Sequence, residues 1–193
     1  MHQISKSLLL ASTKSAIMQY AGMSRTNAPP PESFVQHLCA LYIWQQTGRI
    51  VRVEFPARDC AHLNFDRSRF EHLSRNFLVD LVCLRSEARN PDDIEALVEF
   101  KLWTASKHVG GDVSRLREFL SFLPAHEGGG AKGYVVCVPH YPNIARVREA
   151  ISAFSGRFRL PGDDPHTSEV FETGSSGAAA GIVVLDVQEC RLS

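Results

Sequence analysis

The sequence lacks the simplest signatures of several protein classes. Its five cysteines are scattered and form no Cys-x-x-Cys pair, so neither a disulfide framework nor a zinc knuckle is indicated. Its eight histidines show no metal-ligand spacing such as His-x-x-x-His. Phosphate-binding and dinucleotide-binding glycine fingerprints are absent, and no serine or cysteine comes with a recognisable catalytic base. We therefore expect reduced, mostly packed thiols and no nucleophilic triad.

Long apolar runs are also missing. The leucines at 8–10 are followed by polar residues at 12–15, which leaves the apolar stretch too short for a secretory signal. No run approaches the roughly 20 apolar residues that a membrane-spanning helix needs. We therefore expect a cytoplasmic protein that makes no use of a membrane.

The charges balance over the whole chain, with 21 basic and 21 acidic residues. No global field draws this protein towards nucleic acid, as it would a strongly basic domain. The distribution is uneven, because residues 101–159 hold 9 basic and 4 acidic residues whereas 160–193 hold 1 and 6. Any site for a polyanion must therefore be local, and the middle of the chain is the favoured place.

With 193 residues, 44% of them hydrophobic, the chain is long enough to bury one substantial core. Consecutive prolines at 29–31 interrupt a short helical pattern over 4–20. We expect 1–30 to be an N-terminal appendage and 31–193 to form a single domain.

Hydrophobic periodicity predicts an α/β domain with a central mixed sheet flanked by helices, in the order αβββαβαβ. Apolar residues at helical spacing indicate helices, and compact β-branched runs indicate strands. We expect the glycines at 110–111 to break the chain before the second helix, and 160–180 to be a loop. The predicted helices are 31–48, 112–123 and 144–154, and the predicted strands are 49–55, 77–84, 96–103, 133–138 and 181–187.

Two of these apolar strands each contain an acidic residue, Asp80 in the second and Glu99 in the third. A carboxylate in a buried strand is costly unless it is paired or binds a cation. If the two strands form a hairpin, Asp80 and Glu99 come close enough to share a divalent ion. Lys101 lies on the same strand face as Glu99, where its ammonium group could orient the attacking water. Phosphodiester hydrolysis uses these residue types together.

Asp80, followed after a gap by Glu99-Phe100-Lys101 between apolar residues, resembles the PD-(D/E)xK nuclease superfamily, which has the restriction-endonuclease-like fold. The resemblance covers roughly 31–187. It implies a nuclease that needs Mg²⁺ or Mn²⁺ and acts on DNA or RNA, with Asp80 and Glu99 as metal ligands and Lys101 as the catalytic cation. It further implies that Glu32 joins the metal site. It also nominates Lys107, Asp112 and Arg115 for contacts with the substrate.

Other interpretations remain open at this stage. Asp80 and Glu99 could be solvated acids on edge strands, and Glu32 could simply favour the dipole of the helix that it begins. The same fold could serve as a catalytically inactive module that binds a protein partner or a nucleic acid. A homodimer is a further candidate assembly, because many nucleases with this fold cut two strands as dimers.

Overall fold

A computed structural model describes residues 3–24, 28–56, 78–86, 93–102, 109–123, 130–158, 168–173 and 177–190. Within these ranges the chain forms four helices and a single mixed sheet of seven strands. The α/β class and the central mixed sheet flanked by helices are therefore confirmed. The helices are α1 (Lys6–Met23), α2 (Glu32–Thr47), α3 (Val109–Ser121) and α4 (Ile144–Phe158), and the strands are β1 (Ile50–Pro56), β2 (Leu78–Leu84), β3 (Ile94–Leu102), β4 (Lys132–Val138), β5 (His140–Tyr141), β6 (Ser168–Glu172) and β7 (Ala179–Asp186).

The sheet combines an antiparallel meander with a parallel crossover. Strands β1, β2 and β3 pair in succession as antiparallel neighbours. Helix α3 then leads to β4, which pairs in parallel with β3. On its other side β4 pairs with antiparallel β7, which also pairs with β5 and β6. The hydrogen-bonded path is β1-β2-β3-β4-β7-β5, with β6 attached to β7.

Each face of the sheet carries its own hydrophobic cluster. Helices α3 and α4 cover one face, where Leu116 and Phe158 pack with sheet residues such as Val135. Helices α1 and α2 cover the other face, where Ile17 and Ile43 are fully buried. The central strands are shielded on both sides, which explains their continuous apolar runs. Among the described residues, no helix combines the length and apolarity needed to cross a membrane.

Helix α1 belongs to this core, although we expected residues 1–30 to be an appendage. Leu9 and Ile17 are buried in the same cluster as residues of α2 and the sheet. Its inner face also contains Ser12 and Thr13, both fully buried. Both hydroxyl groups have partners: Ser12 Oγ donates to the Leu9 carbonyl within the helix at 2.9 Å, and Thr13 Oγ1 accepts from Cys39 Sγ of α2 at 3.6 Å. These buried hydroxyls weaken the apolar periodicity by which a packed helix is recognised.

Two local predictions were wrong. The glycines at 110–111 do not break the chain, because α3 begins at Val109 and includes both. Val109 is buried against the sheet, and this packing offsets the low helix propensity of glycine. The predicted loop 160–180 contains strand β6. Its polar sequence does not indicate a strand, but pairing with β7 supplies its backbone hydrogen bonds.

Helix α2 leads directly into the meander that carries the acidic residues. It runs from Glu32 to Thr47 and is capped by Gly48, which adopts the left-handed conformation at a φ of 69°. Gly48 donates a backbone hydrogen bond to the Trp44 carbonyl at 2.8 Å. This cap turns the chain within two residues into β1, so that the start of α2 and the sheet edge are held in a fixed relation.

Candidate functional site

The β2–β3 hairpin places Asp80 and Glu99 side by side. Leu81 pairs with Val98 in the antiparallel ladder, so the next residues along, Asp80 and Glu99, face each other. Asp80 Oδ2 accepts a hydrogen bond from the backbone N–H of Phe100 at 2.6 Å. The hairpin that the sequence predicted therefore brings the two carboxyl groups together.

Glu99 is the more deeply buried of the two acids, with 3% of its surface exposed. Burial raises the pKa of Glu99, and the neighbouring Asp80 charge raises it further. Burial also raises the pKa of Asp80, against the Phe100 hydrogen bond, which lowers it. Two adjacent carboxylates in a low-dielectric site cannot both ionise cheaply. A proton shared between them, or a bound cation, would relieve the repulsion.

Lys101 lies beside Glu99 on the same face of β3. Its Nζ is 3.9 Å from Glu99 Oε2 and 3.4 Å from Asp112 Oδ2. Asp112 belongs to the first turn of α3 and is only 2% exposed. Arg115, one turn further along α3 and half-exposed, forms an ion pair with Asp112 Oδ1. The helix after β3 thus supplies one buried acid and one accessible cation to the site.

Glu32 reaches the same group from the start of α2. Partial burial raises its pKa, and the Asp80 charge adds to this, whereas Lys101 and a hydrogen bond from the Leu102 backbone lower it. The interactions with Asp80, Lys101 and Leu102 place the Glu32 carboxyl group at the mouth of the hairpin site. Neighbouring residues partly surround the carboxyl group, but Glu32 as a whole remains exposed to solvent, so this part of the site is open.

Glu54 is a member of the cluster that sequence reasoning missed. It is the non-glycine residue with positive φ, at 51°, among those that the structure describes. The side chains turn over at this point, because Val53 packs on the α1 and α2 face whereas Phe55 packs on the opposite face. The Glu54 charge contributes to the raised pKa of Asp80. A left-handed residue inside a strand costs about 1–3 kcal/mol and is often found at functional sites.

The remaining predicted contacts divide between described and undescribed parts of the chain. Arg115 lies at the edge of the cluster, where its half-exposed side chain can meet a ligand. Asp112 points inward and uses its two oxygens on Lys101 and Arg115. Lys107 lies outside the described residues. The structure therefore brings Glu32, Asp80, Glu99, Lys101 and Arg115 into one neighbourhood.

The carboxylates of this cluster are the right type of ligand for a hard divalent cation, but they are few. Within the described ranges, Glu99 Oε1 is enclosed by protein and receives no hydrogen bond. Carboxylate oxygens are the ligands that Mg²⁺ prefers, and Mg²⁺ is usually held by one or two carboxylates together with waters and substrate phosphates. Across that same part of the chain, no group of three or more His, Cys, Asp or Glu residues is placed so that it could hold a metal ion. Asp80 and Glu99 would therefore hold a cation incompletely.

Comparison with known proteins identifies no relative: no family model matches the sequence, and no curated protein or solved structure matches it significantly. The function must therefore be inferred from the residues of the site and from the fold that positions them.

Proposed function

We propose that this protein is a metal-dependent phosphodiesterase that cleaves nucleic acid, with a PD-(D/E)xK type of active site. The observation that carries the proposal is the pairing of Asp80 with the deeply buried Glu99, whose Oε1 lacks a hydrogen bond among the described residues. A buried acid left in this state is costly for folding alone. A catalytic requirement for the charge explains why the cost is tolerated.

The sheet topology supports the resemblance to the restriction-endonuclease-like fold. Helix α2, the β1-β2-β3 meander, helix α3 and the parallel strand β4 follow one another in the expected order. The acid of β2 and the acid and lysine of β3 meet within that meander. This agreement between the motif and the element order is more specific than the motif alone.

In the proposed reaction Asp80 and Glu99 would hold Mg²⁺ or Mn²⁺, and Glu32 would approach the same site from α2. The bound metal would polarise the phosphate and lower the pKa of the attacking water. The Lys101 side chain lies beside Glu99, where it would orient the water and stabilise the charge that develops on phosphate. Arg115 offers a guanidinium group to a neighbouring phosphate from the half-exposed side of α3.

A second candidate function is a nuclease-fold module that binds a partner protein without catalysis. Helix α2 exposes Leu41 and Trp44, which are 46% and 54% accessible to solvent. These residues are one turn apart and form a small apolar surface on the same helix that begins with Glu32. Apolar residues grouped on a surface are a feature of interaction sites.

Cleavage assays distinguish the two candidates. Wild-type protein with Mn²⁺ or Mg²⁺ is incubated with single-stranded and double-stranded DNA and RNA, beside Glu99→Gln and Lys101→Met. We expect cleavage by the wild type and a loss of about 100-fold or more in each variant, the scale of removing a positioned catalytic group. Glu149→Gln, which alters an exposed ion pair on α4, serves as the control that retains activity.

Intact substrates under all of these conditions would reject the catalytic proposal and favour the partner-binding module. Cleavage that persists unchanged in Glu99→Gln would point to a contaminating enzyme or to another site.

A further inference from the structure

We propose that Asp112 is a positioning residue that holds Lys101 and Arg115 at a fixed spacing for the reaction. The inference rests on the proposed function for the roles of these two cations. It concerns a residue whose carboxylate contacts these two cations and that would act through them.

The Asp112 carboxylate divides its oxygens between the two cations. Oδ2 lies 3.4 Å from Lys101 Nζ, and Oδ1 pairs with Arg115 Nη2. Asp112 is 2% exposed, so the carboxylate has lost nearly all of its contact with bulk water. A buried carboxylate is stable only when it is paired, and breaking such a pair is strongly destabilising. Arg115 donates a hydrogen bond to Oδ1, whereas Oδ2 receives no hydrogen bond within the described ranges, so the Lys101 ammonium balances its charge as an ion pair.

This arrangement connects a strand with a helix. Lys101 is part of β3, whereas Asp112 and Arg115 are part of α3, and residues 103–108 separate the two elements in sequence. A lysine side chain has a flexible four-carbon stem, and fixing it costs about 2 kcal/mol of conformational entropy. Glu99 alone holds the Lys101 ammonium loosely, at 3.9 Å. Asp112 lies closer to the ammonium group than Glu99 does, and it draws Lys101 towards α3.

The same carboxylate also positions Arg115, which lies on its solvent side. It lies three residues after Asp112, the spacing at which helical side chains meet. Its side chain is half-exposed, so part of Arg115 remains accessible to solvent while it pairs with Asp112. One buried acid thus fixes the distance between the proposed catalytic cation and the proposed phosphate-binding cation.

The test compares Asp112→Asn with a matched control, Asp186→Asn. Asp186 is also buried, at 5% exposure, and its Oδ2 lies 3.5 Å from Lys132 Nζ on another strand of the same sheet. Reductive methylation, read by mass spectrometry at each lysine, reports how firmly each amine is paired. In Asp112→Asn we expect Lys101 to be methylated about fivefold faster than in the wild type, the scale of one lost ion pair. In Asp186→Asn, Lys132 should change instead and Lys101 should not.

Kinetics then separate positioning from general stability. With Mn²⁺ and a nucleic-acid substrate, Asp112→Asn should lower kcat by about 10- to 100-fold, the scale of a misplaced catalytic group, with a smaller change in KM. Asp112→Glu, which keeps the charge, should recover part of both the kcat and the Lys101 protection. It also carries the test if Asp112→Asn does not fold. Asp186→Asn should keep the wild-type kcat.

The outcomes separate this inference from the proposed function. Wild-type protein that cleaves no nucleic acid would overturn the proposed function, and the catalytic part of this inference with it. An active wild type, with Asp112→Asn that retains kcat or leaves Lys101 methylation unchanged, would overturn the positioning role alone.

Discussion

Two glutamates on β3, Glu95 and Glu99, are equally buried, each with 3% of its surface exposed, yet their surroundings differ. Glu95 forms an ion pair with Arg49 at 2.6 Å and accepts a hydrogen bond from the Ile4 N–H at 3.1 Å. Glu99 faces another acid, Asp80, and the Lys101 ammonium lies 3.9 Å from its Oε2.

The difference shows two uses of a buried charge. Glu95 has a cation and a backbone donor of its own, and it ties the segment before α1 to the sheet. Within the described ranges Glu95 Oε2 receives no hydrogen bond, as is also true of Glu99 Oε1, but the Arg49 guanidinium 2.6 Å away balances its charge, which is typical of a structural ion pair. At Glu99 the repulsion from Asp80 remains in the folded protein, and a bound cation would relieve it. The comparison therefore separates a structural acid from a functional one on the same strand.

The largest expected change in stability is at Glu95, the structural acid. Glu95→Ala removes the partner of Arg49 and of the Ile4 N–H, and it leaves a buried guanidinium without its closest carboxylate. We expect the free energy of unfolding to fall by about 3–5 kcal/mol, as for other broken buried pairs. Urea denaturation followed by circular dichroism measures this change. A loss below about 1 kcal/mol would mean that the ion pair contributes little and that the two glutamates are not so different.

The matching change at the functional acid should have the opposite sign. Glu99→Gln keeps the shape of the side chain and removes its repulsion with Asp80. We expect the metal-free variant to be more stable than the wild type by about 1–2 kcal/mol at about pH 8. The same urea experiment tests it. Destabilisation comparable to that of Glu95→Ala would show that Glu99 is a structural acid too.

The pH dependence of this difference sharpens the comparison. Burial and the Asp80 charge raise the pKa of Glu99 above its ordinary value of 4.5, so the folded protein binds a proton more tightly than the unfolded chain. The stability linked to this group is therefore full at low pH and is lost as the pH rises from about 4.5 through the raised pKa. The gap in unfolding free energy between Glu99→Gln and wild type should be near zero at about pH 4 and widen towards about pH 8. A gap that stays constant with pH would contradict the raised pKa.

The smallest effect is expected at an exposed pair. Arg146 and Glu149 lie 3.4 Å apart on α4, each with 68% of its side chain exposed. Exposed pairs of this kind contribute less than about 1 kcal/mol, so Glu149→Gln should change the unfolding free energy by less than about 0.5 kcal/mol. A larger change would mean that simple charge removal, without burial, explains part of the effects at Glu95 and Glu99.

Much of this architecture could be predicted from the sequence. The apolar runs around Asp80 and Glu99 indicated two adjacent buried strands, and the period-two alternation placed Lys101 on the face of Glu99. Strands that are consecutive in sequence usually pair, so the sequence also predicted the hairpin that brings the two acids together. The structure places all three side chains where that pattern required.

What escaped prediction depends on distant contacts and on backbone conformation. The partners that distinguish Glu95 from Glu99, Arg49 and Ile4, come from other parts of the chain, and Ile4 lies 91 residues away. Glu54 looked like an ordinary solvent-facing residue of an alternating strand, because nothing in the sequence signals a left-handed φ at a non-glycine position. The packing of helix α1 was missed because the buried Ser12 and Thr13 interrupt its apolar pattern.

The most direct test of the central claim is calorimetric titration of Mn²⁺ into metal-free wild type, Glu99→Gln and Glu149→Gln. If Asp80 and Glu99 hold a divalent cation, the wild type and Glu149→Gln should bind Mn²⁺ alike, and Glu99→Gln should lose that binding while it remains folded. Absence of binding in the wild type, or equal binding in Glu99→Gln, would contradict the assignment of Glu99 as a metal ligand.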